Sequence, residues 1–323
     1  MSRPRRAAGD EARACSPADL DALLDDLLDD LLQKTSRTFA LAIPLLPEPT
    51  RRQVGLAYLL FRIADTFEDA ELWPRAQKLA ALERFAALLA EGTTADDVAR
   101  EAASWLALPP CRHAGYLELL RRAPAVLAAF HQLGEAPRRL IGEHTRRTAE
   151  GMARFVAAAG PDGAVELHDL ADLERYCYVV AGIVGEMLTE LFLLGGRALA
   201  PIARYLRERS ACFGEALQLV NILKDSRADA AQGRRFLPLG NAVAEVSQIA
   251  RRDVGAAIEY VLALQRQEAP RGIVAFVALP VRLARATLDL FDEEGPGAKL
   301  SRADVCGIVE GLERALDEGL PAL

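Results

Sequence analysis

Apolar residues recur at three- and four-residue steps through most of the chain, the period of a helix face and not of a strand. The pattern begins at Ser16-Pro17, with Ser16 placed as an N-cap and Pro17 at the first helical position. Leu, Ala, Arg and Glu, all good helix formers, dominate from there on. Breaks fall at Pro44, Pro47 and Pro49, at Pro109-Pro110, at Gly160-Pro161, at Gly195-Gly196 and at Gly295-Pro296-Gly297. Runs of alternating β-branched residues are absent, and no internal repeat or long linker divides the chain. The pattern predicts an all-α helical bundle in one domain over residues 18–323, preceded by a flexible leader over residues 1–17.

Two helical windows break the apolar pattern in an orderly way. In Gly55–Ala70 the polar residues Tyr58, Arg62, Asp65 and Asp69 follow steps of four, three and four, so they share one helix face. In Phe213–Gly233 Gln218, Asn221, Asp225 and Asp229 do the same at steps of three, four and four. Helices this apolar are usually buried, and buried carboxylates without partners are costly. The compensation comes either from Arg partners in structural ion-pair networks or from metal ions. Residues four apart rise about 6 Å along a helix. Each pair of aspartates therefore suits one hard cation such as Mg²⁺, which usually shares its shell with substrate phosphates. Spacing alone does not decide. Leu20–Leu32 also carries Asp21, Asp25 and Asp29 at steps of four, but with leucines opposite, and reads as an amphipathic helix with a solvated acidic side.

The remaining composition narrows the classes. The 323 residues carry 39 Lys+Arg and 46 Asp+Glu, a net charge of −7, which argues against a nucleic-acid partner. The five cysteines form no CxxC pair, the four histidines form no HExxH, and no GxSxG occurs. The reading finds no apolar run of the about 18–20 residues that span a bilayer. The N-terminus has no apolar signal core. The expectation is a cytoplasmic protein whose membrane contact, if its product is very apolar, is peripheral and made without a transmembrane anchor.

At the two stripes and the blocks around them the chain resembles the squalene and phytoene synthase family of head-to-head prenyl synthases. The resemblance runs from about Thr35 to about Val309, through SRTFALAIPLLP, YLLFRIADTFEDA, YCYVVAGIVG, LQLVNILKDSRADAAQGRRFLP and FVALP, in that order. It implies an all-α isoprenoid synthase fold acting on prenyl diphosphates with Mg²⁺. Metal ligands would be Asp65, Glu68 and Asp69 from the first acidic motif and Asp225 and Asp229 from the second. Substrate would meet Ser36, Arg37, Phe39, Tyr58, Arg62, Gln218, Asn221 and Phe276. Tyr176 matches a tyrosine implicated in proton handling during cyclopropane formation. DTFED, in place of the DDxxD more usual in phytoene and dehydrosqualene synthases, resembles the squalene-forming members, which reduce presqualene diphosphate with NADPH. Arg37, Arg62, Lys224, Lys299 and Arg302 match positions linked to that cofactor or to diphosphate.

Lys224 stands where arginine is common, and Val179 where the family motif has tyrosine. A carbocation formed in such a site needs water excluded and is stabilised by aromatic faces, for which Phe61, Phe67, Tyr176 and Phe276 are candidates. Gly182 and Gly185 permit close approach either of a second helix or of a prenyl chain. Alternatives are the same condensation stopped at presqualene diphosphate, dehydrosqualene or phytoene, and a non-catalytic family member. The YCYVVAGIVG and GRRFLP blocks disfavour a head-to-tail synthase or terpene cyclase. Neither oligomeric state nor prenyl chain length is legible.

Overall fold

The computed structural model describes residues 17–160, 165–231, 234, 236–237 and 242–323. The predicted leader lies outside these residues except for Pro17, which opens the first helix as expected.

The helices run α1 (Pro17–Thr35), α2 (Phe39–Ala42), α3 (Thr50–Glu68), α4 (Arg75–Leu88), α5 (Ala95–Ala107), α6 (Ala114–His131) and α7 (Glu135–Ala158). They continue with α8 (Leu170–Cys177), α9 (Ile183–Gly195), α10 (Ala203–Ala231), α11 (Ala242–Arg266), α12 (Arg271–Glu294) and α13 (Arg302–Asp317). The fold is all-α, as the periodicity predicts. Local chemistry fixes several starts. Thr94 and Ser301 form capping boxes with Asp97 and Asp304, and Asp169 accepts from the Asp172 N–H to start α8.

Between α8 and α9, Tyr178–Gly182 winds as a π-helix, so one nearly continuous rod carries an inserted wide turn. This rod, Leu170–Gly195, corrects the expectation that no stretch is apolar enough to span a bilayer. By length and composition it is, with half of its apolar window buried inside the bundle. Met187, Leu188, Leu191 and Phe192 are among its core residues.

α10 packs along α9, the π turn, α11 and α12, while α3 packs on α6 and α7. Two glycines set the spacing of α10 against the π turn and α9. A Cβ at Gly185 would lie 2.0 Å from the Ser210 carbonyl oxygen, and one at Gly214 2.0 Å from that of Ala181. The close approach is thus of helix on helix, although both glycines also line the central cavity.

Candidate active site

α3, the α8–α9 rod, α10 and α12 enclose a cavity of about 210 Å³. Its walls are apolar, with Val54, Phe61, Val184, Leu188, Phe213 and Phe276 among them, and Arg62 and Asp65 stand where α3 approaches its C-terminus. The α3 stripe holds together internally. Arg62 Nη1 donates to Asp65, and Arg62 Nε and Nη2 donate to the Tyr58 hydroxyl at 3.3 and 3.2 Å. Tyr58 in turn donates to the Thr35 carbonyl at the end of α1, at 2.9 Å. Burial opposes the Arg62 charge, but Asp65 and the Tyr58 and Tyr116 hydroxyls more than offset it, so its pKa is raised. Burial also raises the Asp65 pKa; Arg62 pulls it down, and Asp69 adds to the rise.

The α10 stripe faces it. Gln218 lines the deep cavity, and Asn221 borders it and accepts from Lys224 Nζ at 3.1 Å. Lys224 also pairs with Asp225 at 3.2 Å. The two stripes meet through Arg234, whose Nη1 lies 2.5 Å from Asp69 and whose Nη2 lies 3.4 Å from Asp229. One aspartate of each stripe, Asp69 and Asp229, thus meets the same cation. Burial raises Asp229, and its neighbours Asp225 and Asp69 add to the rise.

Of the two compensations left open by the sequence, the basic one is present at each of the four aspartates. The donor set nevertheless fits a hard divalent ion, because carboxylate oxygens of two helices lie within reach of a single guanidinium. It is not a preassembled cage, for no group of three or more His, Cys, Asp or Glu poised for a metal forms among the described residues. A metal would displace Arg234.

Glu68 differs from the other acidic residues in placement. It is 3% exposed, lines neither this cavity nor its neighbour, and accepts from the Tyr176 hydroxyl at 3.4 Å. Its Oε1 is buried without a partner. Burial, then the nearby acids, pushes both Glu68 and Tyr176 well above their ordinary pKa values. The Tyr176 ring lines the cavity between Phe236, stacked at 5.0 Å, and Phe155, edge-on at 5.2 Å. Phe61 and Phe276 also line it. Phe67 does not; it packs behind α3 against Trp73, Phe85 and Trp105, which removes it from the cation-stabilising candidates.

A second cavity of about 320 Å³ adjoins the first, and Phe39, Leu217, Asn221 and Pro280 border both. Arg37, Lys224 and Lys299 line the second one. Arg302 does not; it is exposed in the first turn of α13. Ser36 serves its own segment, its Oγ accepting from the Phe39 N–H at the start of α2 at 2.9 Å.

Two residues of the site were not singled out from sequence. Arg234 sits in the GRRFLP block, whose position after the second acidic stripe was the available signal. Tyr116, whose ring centroid lies 5.5 Å from the Arg62 guanidinium, had none.

On the far side of α10, Glu215 faces Asp253, Glu174 and Glu186, with Arg252 opposing them. Burial, then those acids, pushes its pKa from 4.5 up to about 7. The folded state therefore binds more protons than the unfolded one between pH 4.5 and 7. Stability is expected to fall as pH rises through that window. Glu215→Gln should flatten that part of the profile, as read by denaturant unfolding at several pH values.

The squalene/phytoene synthase family model matches residues 32–305. Squalene synthase of Schizosaccharomyces pombe is 30% identical over 207 residues, 64% of this chain and 42% of that protein. Botryococcus squalene synthase of Botryococcus braunii is 29% identical over 198 residues, 61% of this chain and 38% of that protein. The chain thus spans about two fifths of the length of these relatives. Among solved structures, TcSQS in complex with the ligand BPH1237 superposes with a TM-score of 0.70 at 27% identity, covering 89% of this chain and 86% of that one. A dehydrosqualene synthase in complex with a ligand shares the fold at a TM-score of 0.62 and 18% identity, covering 94% of this chain and all of the other. With its acidic helices meeting beside an apolar cavity and the family model covering most of its length, the chain belongs to the squalene/phytoene synthase family.

Proposed function

We propose that the chain is a squalene synthase, joining two farnesyl diphosphates head to head to give presqualene diphosphate and then reducing it with NADPH to squalene. The observation that carries this reading is a deep apolar cavity edged by the Arg62–Asp65 pair, sharing the Phe39 wall with a second cavity lined by Arg37, Lys224 and Lys299.

Arg62 supplies fixed positive charge where a departing diphosphate collects its negative charge. Mg²⁺ held by Asp65, Asp69, Asp225 and Asp229 would neutralise the leaving oxygens as a Lewis acid. Phe61, Phe276 and the Tyr176 ring offer π faces to the allylic cation, and the apolar walls keep water from it. Tyr176, a lining residue whose hydroxyl donates to Glu68, would hand on the proton lost when the cyclopropane closes. Arg37, Lys224 and Lys299 would hold the phosphates of NADPH, which supplies the hydride. A product as apolar as squalene leaves into a lipid phase, which supports peripheral membrane contact.

One observation favours a second reading. Of Lys299 and Arg302, both expected to meet the cofactor or diphosphate, Lys299 lines the cavity and Arg302 is exposed, so the condensation without reduction is the alternative. Purified protein incubated with farnesyl diphosphate and Mg²⁺, with and without NADPH, distinguishes them. Squalene only in the NADPH sample supports the first reading. Presqualene diphosphate or dehydrosqualene in both samples moves the assignment to the second. No turnover by folded protein overturns both.

A further inference from the structure

We infer that Tyr116 is a positioning residue for diphosphate binding: its ring, presented by α6, holds the Arg62 guanidinium of α3 in place. The inference rests on reading this site as one that binds diphosphate.

Arg62 has five N–H donors. Those on Nε and one on Nη2 go to Tyr58, and one on Nη1 goes to Asp65. Two N–H groups, one on each terminal nitrogen, have no partner among the described residues, and Arg62 lines the cavity. They are the donors an anion would take.

Tyr58 and Asp65 both belong to the helix that carries Arg62, so neither fixes the guanidinium relative to α6, which packs on α3. The Tyr116 ring does, from 5.5 Å, a cation–π distance. Tyr116 is itself anchored. Its ring packs, tilted, against His113 at 4.0 Å, and its backbone N–H donates to His113 Nδ1 at 3.3 Å, which caps α6. The preceding residue, Gly115, lets α6 touch the end of α1, since a Cβ there would lie 2.3 Å from the Lys34 carbonyl oxygen. The next carbonyl, that of Thr35, receives the Tyr58 hydroxyl. The α1–α6 junction therefore reaches Arg62 by two routes, the Tyr58 hydroxyl and the Tyr116 ring. Without the ring, the guanidinium is free to settle onto Asp65 and lose its poise toward the cavity.

The test is calorimetric binding of inorganic diphosphate in the presence of Mg²⁺, which does not depend on turnover. Tyr116→Leu should weaken binding by about tenfold, the scale of a desolvated cation–π contact, while Tyr116→Phe, which keeps the ring, stays within about twofold of the unmodified chain. In an Arg62→Gln background, Tyr116→Leu should add no more than about twofold, because the two residues act as one unit. A purely architectural role for Tyr116 would weaken binding equally in both backgrounds. Undiminished binding by Tyr116→Leu, equal losses in Phe and Leu variants, or additivity with Arg62→Gln would each overturn the inference alone. Failure of the unmodified chain to bind diphosphate would overturn the reading of the site beneath it.

Discussion

Asp225→Asn is expected to slow turnover of farnesyl diphosphate by about a thousandfold while leaving the unfolding midpoint nearly unchanged. Asp225 is half-buried at the edge of the second cavity, and its one ion pair among the described residues is with its sequence neighbour Lys224. Such a partly solvated pair adds little to stability, at most about 1 kcal/mol. On the proposed reading its carboxylate matters for what it adds to the pooled negative charge that would draw a divalent ion. Asparagine keeps the shape and one oxygen ligand but removes the charge. A thousandfold in rate corresponds to about 4 kcal/mol of transition-state stabilisation. Single-turnover rates from farnesyl diphosphate, set beside denaturant unfolding of the same protein, separate the two effects. Equal loss of stability and rate would remove Asp225 from the catalytic machinery.

The second large effect is architectural. Gly214→Ala puts a methyl group 2.0 Å from the Ala181 carbonyl oxygen and 2.6 Å from its carbon. These are backbone atoms, so no rotamer change relieves the clash; the π turn, and α9 continuous with it, must move off α10. Overpacking of this kind costs about 1–3 kcal/mol, and here the upper end applies. Gly185→Ala meets the Ser210 carbonyl at the same crossing and should cost as much. Because both force the same displacement, the double variant should lose less than the sum of the two. Denaturant unfolding of the three variants measures this; strict additivity would mean that the helices yield locally at each glycine.

The helical architecture was legible because Leu and Ala periodicity names buried faces directly, and the two stripes were legible because steps of three and four place residues in line. What spacing does not reveal is the element across the way. Glu68 lies in the same motif as Asp65 and Asp69, yet at about 100° per residue it sits some 100° around the helix from Asp69. That angle turns it inward to Tyr176 and away from the cavity. Phe67, one position earlier, faces the Trp73–Trp105 cluster for the same reason. Arg234 pairs with an aspartate 165 positions away, a contact no local pattern encodes. Arg302 was matched with Lys299 through the family resemblance, but the helix start at Ser301 lies between them. Resemblance to a family located the blocks; only the packing of the helices assigns each side chain to a cavity, a partner or solvent.

The wide turn at Tyr178–Gly182 has a consequence for how this chain can vary. In a regular helix Tyr176 and Val184, eight residues apart, would be rotated by about 80° from each other. A π turn absorbs one extra residue, so the eight behave as seven and the offset falls to about 20°. That is how Tyr176 and Val184 come to border the same space. The number of residues between them is therefore fixed. An insertion or deletion in a surface connection shifts only the connection, whereas a deletion here would turn the tyrosine and everything before it relative to the floor of the cavity. Length variation among homologous chains should avoid this segment even where individual side chains within it are exchanged freely.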